Sequence, residues 1–221
     1  MVAARTLSHR EAQRFYDRFG ARQDSQAFYE RPALERLLPQ LELGAARALV
    51  EFGCGTGRLA AELLSHRLSA ECRYLGIDSS RTMVELARSR VAAFGARAEI
   101  RHSDGSPRIA APDRSFDRFV SSYVLDLLAE GEIRALLTEA HRVLAPGALL
   151  GIVGLTHGET PGARAMSFVW ERIHRLRPTL VGGCRPLEVS TFLPERAFKV
   201  RQRSVLAPYA IPSEVIVAER V

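Results

Sequence analysis

Between Leu49 and Leu59 the chain reads Leu-Val-Glu-Phe-Gly-Cys-Gly-Thr-Gly-Arg-Leu. An apolar run ends in Gly53, Gly55 and Gly57, at alternate positions, and passes into a helical pattern. Glycines there permit a sharp turn and let backbone N–H groups approach a ligand closely. The helix opening behind them offers unpaired N–H donors to a carboxylate or phosphate. Asp78 ends the next apolar run, about 20 residues on, where a carboxylate can accept from both hydroxyls of a ribose. The residues alone therefore point to a ligand that contains a nucleoside. Their spacing is G-x-G-x-G. Arg58 and Leu59 stand where the dinucleotide fingerprint G-x-G-x-x-G would place its last glycine, which argues against a nicotinamide oxidoreductase.

Around this turn, strand and helix patterns alternate. Strands are predicted at Arg47–Phe52, Arg73–Ile77, Ala98–His102, Phe116–Ser121 and, after a Pro146-Gly147 turn, Leu149–Val153. Helices are predicted at Thr56–His66, Arg81–Phe94 (capped by Ser79 or Ser80) and Glu130–Leu144. Such alternation predicts a parallel sheet with helices on both faces, binding ligands at the carboxyl ends of its strands. Phe198–Leu206 and Ser213–Ala218 are separated by a segment too short for a helical crossover, so they predict an antiparallel hairpin that closes the sheet. Helical spacing also covers Ser8–Gly20 and Ser25–Leu38 before the sheet and Pro161–Leu176 within it. The expected organisation is a single α/β domain: a helical lid at 1–44, a core at 45–155, an insertion at 156–196 and the hairpin at 197–221.

Composition narrows the classes. The 221 residues are 47% hydrophobic and 25% charged, ordinary for a globular chain that buries its own core. Cys54, Cys72 and Cys184 are an odd number with no CxxC pair, which disfavours a disulfide framework or a zinc site and fits a reducing cytoplasm. No apolar run reaches spanning length, and Met1–Thr6 lacks the apolar core of a signal peptide. The net charge is +6, and Lys199 is the one lysine among 31 basic residues. No dense basic run or aromatic-interleaved RNA-binding pattern accompanies that charge, so a small-molecule partner is expected rather than nucleic acid. On oligomeric state the sequence is silent, which leaves a homodimer open.

The segment Glu51-Phe52-Gly53-Cys54-Gly55-Thr56-Gly57 resembles the first motif of the class I S-adenosylmethionine-dependent methyltransferases. Gly76-Ile77-Asp78-Ser79-Ser80 with Met83 and Ala87 is similar to their second. Ser103-Asp104-Gly105 and Ser115-Phe116-Asp117-Arg118-Phe119-Val120-Ser121 are similar to their third and fourth. Arg142-Val143-Leu144-Ala145-Pro146-Gly147-Ala148 resembles the turn before their fifth strand, where a second glycine is more usual than Ala148. The resemblance spans about residues 45–155. Phe15-Tyr16-Asp17-Arg18-Phe19 resembles the N-terminal lid of the ubiquinone/menaquinone-biosynthesis type.

That resemblance implies a Rossmann-like sheet of seven strands, a cytoplasmic enzyme and the cofactor S-adenosyl-L-methionine, released as S-adenosyl-L-homocysteine. It places the methionine part on Gly53, Cys54, Gly55, Thr56 and Gly57, with Glu51 orienting the amino group and Ser121 offering its carbonyl. Asp78, with Ser79, would take the ribose. Met83 would pack on the adenine, with Ser103, Asp104 and Gly105 at its edge, and Tyr16 would close over the cofactor. Methyl transfer is an in-line displacement that needs alignment, exclusion of water and at times a base. Candidate bases follow strand ends: His157, Tyr123 and Asp126. Phe19, Tyr123, Phe168 and Arg185 are candidates to shape the acceptor side, for a quinone-like, polyketide or lipid-like molecule. Two alternatives stay open. One is a nucleic-acid or protein methyltransferase, although Ser121-Ser122-Tyr123-Val124 lacks an Asn-Pro-Pro-Tyr tetrad. The other is a repurposed fold, acting as a partner subunit or cyclase.

Overall fold

The computed structural model describes residues 6–221; Met1–Arg5, part of the stretch read for a leader, lies outside the described residues. Seven strands form one sheet: β1 Ala48–Phe52, β2 Arg73–Asp78, β3 Ala98–His102, β4 Phe116–Ser122, β5 Leu144–Leu155, β6 Phe198–Leu206 and β7 Ser213–Arg220. Their spatial order is β3-β2-β1-β4-β5-β7-β6. The first five run parallel, and β7 inserts antiparallel between β5 and β6. The predicted parallel sheet and closing hairpin are therefore both present.

Six helices accompany the sheet: α1 His9–Phe19, α2 Ala27–Leu37, α3 Arg58–His66, α4 Arg81–Val91, α5 Glu130–Val143 and α6 Pro161–Leu176. Strand alternation decides what each face buries. Leu49 of β1 and Val215 and Val217 of β7 pack with Leu37 of α2, Leu63 of α3 and Val84 of α4. Val50, Phe52, Ile216 and Ala218 point the other way, onto Ile133, Leu136 and Val143 of α5. Side-chain caps open α1, α4 and α6. Ser8 and Glu11 form a capping box before α1, and Ser80 is the residue that caps α4, accepting from Met83 N at 3.2 Å.

Several boundaries differ from the sequence reading, among them the start of α3, the end of α4 and the start of β5. α3 starts at Arg58 rather than Thr56 because Gly57 takes a left-handed φ of 76° and stands outside the helix. α4 stops at Val91, and a tight turn carries Ala92–Arg97 to β3. β5 is longer than expected. Its ladder opens at Phe116↔Leu144, breaks where Gly147 takes a positive φ, and resumes at Arg118↔Leu149. Pro146-Gly147 is thus an irregularity inside the strand, because neither an absent N–H nor a positive φ suits a regular ladder.

The chain reverses its strand order at β1, with β2 on one side and β4 on the other. This is the crevice where such sheets hold ligands. Ile216 is fully buried opposite Ile152 at the parallel–antiparallel junction. Ile216→Ala should lower unfolding free energy by about 2–5 kcal/mol, read as a reduced urea midpoint with an unchanged slope.

Candidate cofactor and acceptor site

At the end of β1 the turn folds back on β2. Gly53 N and Cys54 N both donate to Ile77 O, at 2.7 and 3.0 Å. Gly53 and Gly55 have φ values of 80° and 52°, in the left-handed region. A Cβ on Gly53 would also stand 2.2 Å from Val124 Cγ2. Asp78 ties the turn down: its Oδ2 accepts from Gly55 N at 2.9 Å and its Oδ1 from Ser80 N at 2.8 Å. Burial raises the Asp78 carboxyl above its ordinary value, and the Ser80 and Gly55 donors pull it back.

Above the turn lies a cavity of about 800 Å³, counting its open mouth. Its polar end carries Gly53, Gly55, Asp78, Ser79, Ser103 and Gly105, and Met83 forms part of its wall. Its apolar end carries Leu7, Tyr16, Tyr123, Val124, Leu127 and Leu128. A smaller pocket adjoins it, sharing Gln23, Gly53, Gly55 and Ser122 and adding Glu51, Cys54, Thr56 and Arg58.

Glu51 is buried, and Tyr74 OH donates to its Oε2 at 2.5 Å. Burial pushes its carboxyl up to about 8, against the opposing pull of the Tyr74 hydrogen bond. Tyr123 holds a left-handed φ of 54°, rare for a bulky residue and a sign of strain built into a site. Its N–H donates to Val153 O at 2.7 Å, its hydroxyl lies 2.7 Å from Ser213 Oγ, and its ring meets Tyr29 edge-on at 5.6 Å.

The roof is α1 and the tight turn Gly20–Gln26, fastened at four points. Asp17 Oδ1 accepts from Ser80 Oγ at 2.6 Å, beside Asp78. Asp24 accepts from Thr56 Oγ1 at 2.6 Å and from Arg90 at 2.8 Å. Tyr16 OH donates to Gly182 O at 3.3 Å, and His9 Nε2 meets Glu132 Oε1. Gln23 hangs over Gly55. Its Oε1 is buried and has no hydrogen-bond partner among the described residues, so the pocket holds an acceptor waiting for a donor.

Other expected site residues stand apart from this cavity. Gly57 serves packing, since a Cβ there would approach Ala87 Cα to 2.8 Å. Ser121 is buried, with its hydroxyl donating to Phe52 O. Asp104 is exposed and turns onto Ser106 N. Asp126 is buried beneath the roof. Its Oδ2 takes Leu155 N at 3.2 Å, its Oδ1 has no hydrogen-bond partner among the described residues, and burial raises it to about 6. Arg185 pins its own loop to the carbonyls of Asp126 and Leu128. His157 is exposed beside Glu171 on the outer surface, Phe168 lies on the same outer side, and Phe19 lines an outer groove of α1. The sequence reading did not find Gln23, Asp24, Asp17 or His9. The turn that carries Gln23 and Asp24 has no periodicity to mark it.

Glu51 sets a pH dependence. Its carboxyl titrates near 4.5 in the unfolded chain and near 8 in the fold. The stability tied to its protonated form is complete below about pH 4.5 and is lost as pH rises through 8. Glu51→Gln should flatten the fall in urea midpoint across that window, measured at a series of pH values.

The methyltransferase domain family matches residues 49–147. A malonyl-[acyl-carrier protein] O-methyltransferase of Marinomonas sp. (strain MWYL1) is 30% identical over 160 residues, covering 72% of this chain and 57% of its own. A tRNA N(3)-methylcytidine methyltransferase Mettl2 of Drosophila melanogaster is 27% identical, covering 63% of this chain and 46% of its own. A trans-aconitate 2-methyltransferase of Paracidovorax citrulli (strain AAC00-1) is 33% identical, covering 62% and 49%. The chain thus spans about half the length of the curated relatives it matches. Among solved structures, the [4+2]-cyclase SpnF superposes with a TM-score of 0.75 at 15% identity, over 99% of this chain and 98% of that one. With its glycine turn, Asp78 and strand order all in place, the chain belongs to the class I S-adenosylmethionine-dependent methyltransferases.

Proposed function

We propose that the roofed cavity binds S-adenosylmethionine at its glycine end and a small, apolar-bodied acceptor at its Tyr16–Tyr123 end. The observation that carries this reading is the unpartnered Gln23 Oε1 held directly over Gly55. A buried acceptor with no donor costs free energy until one arrives, and the amino group of a methionyl chain on the glycine turn supplies it. Asp78 keeps lone pairs beyond those given to Gly55 and Ser80, so it can still accept from ribose hydroxyls. Met83 offers an apolar, polarisable wall to the adenine, with Ser103 and Gly105 at the rim. Bound there, the cofactor supplies an activated, electrophilic methyl group.

The chain's own residues then position and exclude. α1 closes over the reactants and keeps water out. Tyr16 and Tyr123 are both raised by burial, so they stay neutral near pH 7 and act as walls and donors, not as bases. Of the three candidate bases, His157 faces outward and Asp126 stands outside the cavity lining, so neither is assigned the acceptor's proton. The apolar lining of Leu7, Val124, Leu127 and Leu128 suits a compact apolar acceptor better than a nucleic-acid strand.

A second reading is a cyclase-like use of the same fold, favoured by the full-length superposition on SpnF. Calorimetry with S-adenosylhomocysteine tests the shared part. Asp78→Ala should weaken binding about 10- to 100-fold and Gln23→Ala about tenfold, the loss expected for hydrogen bonds to charged or buried groups. Methyl-labelled cofactor separates the readings. Label appearing in an acceptor supports transfer, whereas tight binding with no label transferred across an acceptor panel supports the second reading.

A further inference from the structure

Helix α6 faces the wrong way for an ordinary surface helix. Its small and polar side turns inward. Ala163 and Ser167 are buried, Trp170 Nε1 donates to Cys184 O at 2.9 Å, and His174 meets Gly183 O at 3.1 Å. Its outer side carries Phe168, Val169, Ile173 and Leu176, continued by Leu180 just beyond its end. Phe168, Leu176 and Leu180 are 62, 83 and 69% exposed. A surface helix normally buries such a stripe, and a contiguous exposed one marks an interaction face.

Charge decides what that face meets. The Arg172 guanidinium lies 5.7 Å from the centre of the Phe168 ring, and Arg164, Arg175 and Arg177 are exposed around it. Glu171, the acid of this helix, is already engaged by Arg175 and His157. The patch continues onto the roof, where Arg14, Phe15, Arg18, Phe19 and Arg22 line a groove with Thr179 and one acid, Glu11, which is engaged by Ser8 at the start of α1. The Arg172 guanidinium over the Phe168 ring is the arrangement of an arginine that snorkels at a lipid interface, its stem along apolar side chains. A second copy of the chain would set these arginines against one another. No described helix is long and apolar enough to cross a membrane, so contact would be with the surface.

We propose that α6, the segment after it and the outer side of α1 form a docking face for an anionic phospholipid surface. Apolar side chains would enter the headgroup–acyl boundary while the arginines pair with headgroup phosphates. The same elements roof the cavity, since Tyr16 of α1 holds Gly182 of the following loop. Docking would therefore set the roof of the cavity against the bilayer, where a lipid-like acceptor resides. The docking itself does not depend on methyl transfer.

The test is co-sedimentation of the full chain with vesicles of phosphatidylcholine alone or mixed with phosphatidylglycerol. Wild type should pellet with the anionic vesicles, be released by added salt, and stay in solution with phosphatidylcholine alone. The double variant Leu176→Glu/Leu180→Glu should lose about tenfold or more of the partitioning while keeping its urea midpoint. Asp78→Ala should pellet like wild type, so a failed cofactor site would not be mistaken for failed docking. The proposal is overturned if wild type ignores anionic vesicles, or if the double variant pellets as wild type does. It is also overturned if the face instead mediates dimerisation or retention by an acidic protein in the absence of vesicle binding.

Discussion

The backbone of the turn after β1 must take three left-handed φ values within five residues, and the rest of the site follows from that constraint. Gly53, Gly55 and Gly57 accept it. Asp78 then fixes the result, because one carboxylate oxygen holds Gly55 N and the other holds Ser80 N. The C-terminal end of β2 thereby anchors both the turn after β1 and the start of α4. Two crossovers and the floor of the cavity meet at this one side chain. Keeping the carboxylate there is costly in burial, and its remaining lone pairs are the ones the proposed function assigns to a ribose.

The roof is built on a different principle. No residue of α1 is fully buried, and Ala12, Phe15, Tyr16 and Phe19 are half-buried, so apolar packing holds it only in part. Polar ties do the rest: Asp17 to the α4 cap, Asp24 to Thr56 and Arg90, Tyr16 to the loop after α6. Elements held by a few solvent-adjacent hydrogen bonds lie at the low end of local stability. In the proposed function, that suits a segment that opens for a nucleoside-sized ligand and closes again. Asp24 and Thr56 link the roof directly to the glycine turn, and filling the turn would therefore reinforce the roof.

The floor was legible in the sequence and the roof was not, for physical reasons. Glycine turns, strand-end carboxylates and helix caps act through backbone geometry, and their spacing survives in the one-dimensional string. Gly53, Gly55, Asp78, Ser79, Met83 and Ser80 stand where the string placed them. Gln23 and Asp24 act through side chains on a turn without periodicity, and only the tertiary fold brings them over Gly55 and Thr56. Strand ends mislead in the opposite way. His157 follows β5 by two residues, but the chain leaves the sheet there toward the outer surface beside α6. Asp104 shares its loop with pocket-lining Ser103 and Gly105, yet turns out to Ser106. Adjacency in sequence fixes position along a strand end but not the direction of a side chain.

Hydrogen–deuterium exchange with and without S-adenosylhomocysteine tests the central claim, that a nucleoside ligand binds between the glycine turn and the roof. The account predicts slowed exchange in three separate stretches together, α1 with its following turn (9–26), the glycine turn (53–57) and the β2–α4 junction (78–83). Protection of the last two without the first would contradict the roof's part in binding. Protection elsewhere, or none, would contradict the site itself.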